Sequence, residues 1–305
     1  MTGPALPVSV VVPTIGRVQL LEQCLRSILA CDPLPDEVVV GDQSGAGDVS
    51  ALLLRLGATN VRRVVVDGVG TARSMNLALA AVLHDTVLVT HDDCTVSSDW
   101  VAVGARLARA HPGGIITGRV LPPDGSPYVP STKTDPHPHD YTGELTSGVL
   151  YPANMVASRR CLQEVGGFDE RRSLRVAEDN DLCYRWLAEG RTFRYEPDLV
   201  VWHHDWRSPD QLVQTHVAYA RSQGGYYAKH LHAGDRRIFR LLRWDLTRGM
   251  KTAIGGRLHG RPRWQDPYRE MVLPLLGGLL AGWREARALH RSARRQGLPP
   301  PTPSS

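Results

Sequence analysis

The chain has 305 residues, 42% of them hydrophobic and 22% charged, and a formal net charge of +5. That length holds one large domain or a domain with an appendage, and the composition is that of an ordinary soluble globular protein. Five scattered cysteines, Cys24, Cys31, Cys94, Cys161 and Cys183, are never in CxxC spacing, which argues against a disulfide framework or a zinc site and fits a reducing cytosol. With no signal-type stretch at its start and no apolar run near the ~20 residues of a membrane-spanning helix, the chain is expected to be cytoplasmic.

Residues 8–12 (VSVVV) read as a buried strand ended by Pro13, and Thr14, Gly16 and Arg17 follow. Leu20, Leu21, Cys24, Leu25, Ile28 and Leu29 then repeat with helical spacing, and Pro33 and Pro35 close that helix. A second strand at 37–40 delivers Asp42 just beyond its end, and Gly45 and Gly47 supply a turn. A helix at 49–56, a strand at 61–66, a glycine turn and a helix at 72–83 come next. The turn at Gly68 and Gly70 partly matches a GxGxxG dinucleotide motif but lacks the third glycine. Its better reading is a helix N-terminus with Arg73 one turn in, a place suited to a diphosphate. The strand at 87–89 then runs straight into Asp92 and Asp93. Ligands of open α/β sheets bind beyond the carboxyl ends of such strands, and paired acids there suit a hard divalent cation. The alternation as a whole predicts a mostly parallel, Rossmann-like sheet with helices on both faces.

Past Cys94, a helix is expected from about Trp100 and a strand at 115–120. Residues 121–146 read as one long loop in which His137 and His139 alternate with proline. A short helix ends at Gly166-Gly167. A longer one covers 177–190, with Glu178 and Asp179 in its first turn, and a strand at 199–201 leads to His203 and His204.

The order of these motifs resembles the family-2 glycosyltransferases. The matching pieces are VVVPT at 10–14, VVVGDQS at 38–44, GVGTARSMN at 68–76, THDDC at 90–94, ANM-x-x-SRR at 153–160, GGFDE at 166–170, EDNDLCYRW at 178–186 and VWHH at 201–204. The resemblance implies a GT-A fold over residues 1–206. Its nucleotide-sugar half would cover about 1–120 and its acceptor half about 121–206. It also implies an inverting transfer of sugar from a UDP-, GDP- or dTDP-sugar, dependent on Mn2+ or Mg2+. Pro13, Thr14, Arg17, Asp42, Gly70, Arg73, Asn76 and Asp92 would bind the nucleotide sugar. Asp93, with His203 or His204, would hold the metal. Asn154, Gly167, Phe168 and Asp169 would lie on the acceptor side, and Asp179, with Glu178 beside it, would be the general base. The chain departs from the family at His91-Asp92-Asp93, where three acids often precede the cysteine, and this leaves Asp93 as the best single metal ligand.

Two other readings compete. A sugar-phosphate nucleotidyltransferase needs a glycine-rich loop behind the first strand, and Pro13-Thr14-Ile15-Gly16-Arg17 is too poor in glycine. A non-catalytic nucleotide-sugar-binding protein rests on the missing first acid alone. The acceptor is left open between a small glycan, a metabolite and a lipid-linked glycan, and no nucleic-acid partner is expected.

The remainder, from Arg207, carries 18 Lys and Arg against 6 Asp and Glu, a surplus of +12, while the preceding residues carry −7. Residues 207–290 read as a basic, mainly helical extension, with a basic helix at 236–248. Residues 271–283 (MVLPLLGGLLAGW) are an apolar segment broken by Pro274 and three glycines. The extension is expected to pack internally, form a homodimer, or lie peripherally on the inner face of the cell membrane. Residues 291–305 read as disordered.

Overall fold

A computed structural model describes residues 4–45, 47–68, 70–123, 131–143, 146, 148–204, 207–258 and 263–296, with the backbone alone at 256–258 and 265. The chain divides into two compact units: Met1–Phe168 with Trp186–Asp205, and Asp169–Arg185 with Trp206–Ser305.

The first unit opens with the predicted alternation: β1 (Leu6–Thr14), α1 (Val18–Leu29), β2 (Pro35–Asp42), α2 (Asp48–Leu56), β3 (Val61–Val65), α3 (Thr71–Ala81) and β4 (Thr86–Thr90). The strands lie in the order β3-β2-β1-β4, all parallel, with Val10 in register with both Val38 and Leu88. The valine runs of β1 and β2 and the leucine of β4 are fully buried, as expected of strands covered on both faces. Helix α1 closes one face with Leu21, Cys24, Leu25 and Ile28. The direction of sheet growth reverses at β1, so the carboxyl ends of β1 and β4 flank the topological switch point. Thr14 and the acids Asp92 and Asp93 stand at those two ends.

Beyond β4 the sheet is mixed. Here lie β5 (Cys94–Val96), α4 (Trp100–Ala110), β6 (Ile115–Leu121), β7 (His139–Tyr141), β8 (Asn154–Ser158), α5 (Arg159–Glu164) and β9 (Phe193–His203). Strand β8 inserts antiparallel between β4 and β6. Strand β9 runs parallel to β6 and carries β5 and β7 antiparallel to itself. The sequence reading did not anticipate β5, β7 or β8. Strand β7 lies within the stretch read as one loop, of which 124–130, 144 and 145 lie outside the described residues.

The second unit is helical, as anticipated for the extension. It contains a short 3-10 turn (Arg172–Leu174), most of α6 (Glu178–Ala188), α7 (Pro209–His232), α8 (Ile238–Leu258) and α9 (Val272–Arg295). A capping box between Ser208 and Gln211 starts α7, with proline in its first turn. Helix α9 corrects the reading of residues 271–283 as an interrupted segment. Pro274 falls in its first turn, where no intrahelical N–H bond is lost. Gly278 and Gly282 face α7, where a side-chain carbon would strike the backbone of Arg221 and Gly225. Helix α9 also continues to Arg295, so 291–295 are helical rather than disordered, while 297–305 lie outside the described residues. Among the described residues no helix is long and apolar enough to cross a membrane.

Candidate active site

At the switch point the adjacent acids have different partners. Asp92 is fully buried; it accepts a hydrogen bond from the Thr14 hydroxyl at 2.6 Å and is gripped by two nitrogens of Arg17. Arg17 also reaches Asp93, at 3.0 Å. Burial pushes the Asp92 carboxyl up, and Arg17 only partly offsets that. For Asp93 burial pulls the same way, but His203, and then Arg17, overcome it and leave its carboxyl well below the usual range. The lowered pKa favours an ionised Asp93, which is 3% exposed just beyond the end of β4.

His203 ends β9, opposite Cys94 of β5. Its Nε2 is 3.6 Å from Asp93 Oδ2. The next side chain along a strand points to the other face, and the His204 ring instead meets the Thr95 hydroxyl at 2.9 Å, with its pKa lowered by burial and by His203. Of the two histidines, His203 is the one gathered with Asp93. Among the described residues the group able to hold a metal is Asp93, Cys94 and His203, whose donor atoms lie within 4.8 Å of one another. Burial, with Asp93 beside it, raises the Cys94 thiol well above its ordinary pKa. Asp93 and His203 offer one carboxylate and one imidazole beside the Cys94 thiol, a donor set that fits a divalent cation with positions left for phosphate oxygens.

The remaining nucleotide-side residues lie around the same ends of the sheet. Pro13 is buried in β1, paired with Gly41 of β2. Asp42 is fully buried and accepts from Arg63 and from the Ser44 amide at 2.8 Å. Gly70 precedes α3 with φ of 144° and donates its N–H to Gln43, and Arg73 in the first turn reaches back to the Asp67 carbonyl. Asn76 clamps the following motif: it accepts from the Phe168 amide at 3.0 Å and donates to the Phe168 carbonyl at 2.8 Å. Gly167 takes φ of 67°, and a side chain there would press on the Asn76 amide. Asn154 is fully buried and committed to the sheet, accepting from the Trp100 indole and donating to the carbonyls of Arg119 and Leu199.

In the second unit, α6 opens with Glu178 and Asp179. Glu178 is 8% exposed, and its Oε2 meets no hydrogen-bond partner among the described residues. Burial, with the neighbouring Asp179, pushes Glu178 well up. Burial raises Asp179 to about 6 against the pull of backbone amides, of which the Asn180 N–H lies 2.7 Å from its carboxylate. One turn further on, Asp181 is fully buried but receives Lys229 at 2.9 Å, Arg185 at 2.8 Å and His230 at 2.9 Å. Those partners, Lys229 foremost, overcome burial and hold it well below the usual range. Lys229 also pairs with Asp169 at 2.7 Å.

The sequence reading did not pick out Arg63, Cys94, Asp181, Lys229 or His230. Two signals were available: an arginine pair inside the short strand β3, and a third acid one turn after the EDN start of α6. The tie to Lys229 and His230 spans 48 and 49 residues, and no local pattern encodes it.

Solved structures share this fold. The mannosyltransferase PcManGT from Pyrobaculum calidifontis, in complex with GDP-Man and Mn2+, superposes with a TM-score of 0.61 at 18% identity, covering 93% of this chain and 90% of that one. S. aureus TarS 1-349, in complex with UDP-GlcNAc, gives 0.57 at 17% identity, covering 96% and 93%. The architecture is thus that of the GT-A glycosyltransferases. The pre-mycofactocin glycosyltransferase of Mycobacterium tuberculosis is 26% identical over 147 residues, which is 44% of this chain and only 30% of that protein. The profile described as glycosyltransferase like family 2 matches residues 4–222, more than half of the chain, and the chain belongs to that family.

Proposed function

We propose that the protein transfers a sugar from a nucleoside-diphosphate donor to an acceptor hydroxyl with inversion, using a divalent cation and Asp179 as general base. The observation that carries this reading is the convergence of ionised Asp93 with His203 at the switch point. Support comes from two proteins of the same fold that hold UDP-GlcNAc and GDP-Man, the latter with Mn2+. Asp93 and His203 would bind the cation, Mn2+ or Mg2+. When bound, that cation supplies positive charge to the departing diphosphate. Arg17 holds the acid pair. Arg73 and the N-terminus of α3 face anionic oxygens of the donor, and Pro13, Thr14 and Asp42 support the nucleoside.

In the transfer, the acceptor oxygen attacks the anomeric carbon from the side opposite the diphosphate. The carbon–oxygen bond to the diphosphate breaks with its electron pair, and the acceptor proton passes to the Asp179 carboxylate. A base with a pKa of about 6 is ionised at neutral pH yet basic enough to take that proton. Gly167, Phe168 and Asp169 would border the acceptor.

The test is a thermal-shift screen of UDP-, GDP- and dTDP-sugars with Mn2+ and with EDTA. A matched donor raises the melting temperature by mass action only when the cation is present, and the same donor should then support transfer. No donor-dependent shift with Mn2+, or an equal shift in EDTA, would refute the reading.

A further inference from the structure

Helix α9 distributes its side chains in an unusual way. It packs through its small residues, with Gly278, Gly282 and Ala286 buried beside Leu275, and turns large apolar ones outward. Leu273 is 81% exposed, Leu280 54%, Leu276 44% and Trp283 36%, the last with its ring edge-on to His232. These positions recur at helical spacing on one face, and along the C-terminal half the face continues as Arg284, Arg287, Arg291 and Arg294. Helix α8 repeats the composition. Phe239, Trp244, Met250 and Ile254 are exposed, interleaved with exposed Arg243, Arg248 and Lys251.

Neither exposed face carries an acid. The acid of α8, Asp245, is 5% exposed and accepts from Tyr227 and Gln223. The acid of α9, Glu285, accepts from the Arg172 and Ser173 amides at 3.1 and 3.0 Å. An apolar stripe left open to water is unfavourable unless something covers it. A second copy meeting either face with the same face would bring arginines against arginines with no acid to pair them. An anionic lipid surface meets both needs, because acyl chains take Leu, Phe and Trp while headgroup phosphates take Arg and Lys.

We infer that α8 and α9 present a peripheral membrane-docking surface for an anionic bilayer, on which these helices lie without crossing it. This goes beyond sugar transfer and does not depend on it.

The test is co-sedimentation of the full chain with vesicles of phosphatidylcholine alone and of phosphatidylcholine mixed with phosphatidylglycerol, at low and high salt, with light scattering in parallel. The expected result is binding to the anionic vesicles, weakened by salt. Leu276→Glu with Leu280→Glu should lower that binding by more than about ten-fold without changing the melting temperature, since both sites are exposed. Trp244→Ala should weaken it on the other helix, and Arg287→Gln or Arg291→Gln should each lower the partition coefficient roughly five-fold. Absence of binding to anionic vesicles at low salt, equal binding to uncharged ones, or binding unchanged in the double variant would overturn the inference. Self-association abolished by the same double substitution would also overturn it, assigning the face to a second copy.

Discussion

Two pairs of neighbouring carboxylates sit in this molecule in opposite electrostatic settings. Asp92 and Asp93 end a parallel strand, are buried, and have Arg17 and His203 against them. Glu178 and Asp179 start a helix, the first buried and the second half-buried, and have no cation among the partners that set their pKa values. Burial alone raises the pKa of any carboxylate, and nearby positive charge lowers it. The first pair therefore yields an ionised Asp93 suited to a cation, and the second yields carboxyls suited to a proton. Asp181, three residues after Glu178, shows how local the difference is: with Lys229, Arg185 and His230 around it, it behaves like Asp93.

The comparison is broken most sharply at Asp179. Asp179→Asn should lower transfer by roughly 10²–10⁴-fold, the usual worth of a general base, while Glu178→Gln is mild. The wild-type rate should fall about tenfold per pH unit below about 6, where Asp179 gains its proton, and stay level above. Initial rates across pH on both variants check this; a crippled Glu178→Gln beside a mild Asp179→Asn would reverse the assignment. The same raised pKa values make ionisation of this pair cost stability as pH rises, so Glu178→Gln should melt higher than wild type above neutrality.

The next effect concerns Asp181. Its depressed pKa means that its stabilising contribution is present above the ordinary carboxylate range and is lost as pH falls through its folded value. Asp181→Asn leaves Lys229 and Arg185 short of a buried counter-charge and should cost about 3–5 kcal/mol, read by denaturant unfolding. Little loss of stability would mean that this cluster is not what holds α6 to α7.

The smallest expected effect separates the two histidines. His203→Ala should weaken Mn2+ binding at least about 10–100-fold, the loss known even for groups that merely support a ligand. His204→Ala, whose ring meets Thr95, should leave it near wild type. Manganese titration followed by electron paramagnetic resonance distinguishes them, and equal losses would contradict the geometry.

Strands β1, β2 and β4 are legible in the sequence because valine-rich runs end at Pro13, Gly41 and the acids after Thr90, β3 is legible as valines flanking Arg62 and Arg63, and the helices between them keep an apolar face. Strand β8 is not, because it begins at the polar Asn154 and inserts antiparallel between strands distant in sequence. Helix α9 is not, because proline and glycine are read as breakers until the first-turn position of Pro274 and the close approach of Gly278 to α7 are known. Asp93, His203 and Asp179 stand out through the motifs that carry them. Their electrostatics do not, because the grip of Arg17 on both acids joins positions 75 residues apart and the lack of a cation at Glu178 is a property of packing.

The most direct test of the account is calorimetric titration of nucleoside diphosphate in the presence of Mn2+ into wild type, Asp93→Ala and Asp179→Asn. A cation site at Asp93 and a proton site at Asp179 predict that Asp93→Ala loses manganese-dependent binding while Asp179→Asn binds as wild type does. Undiminished manganese-dependent binding in Asp93→Ala, or equal loss in both variants, would contradict it.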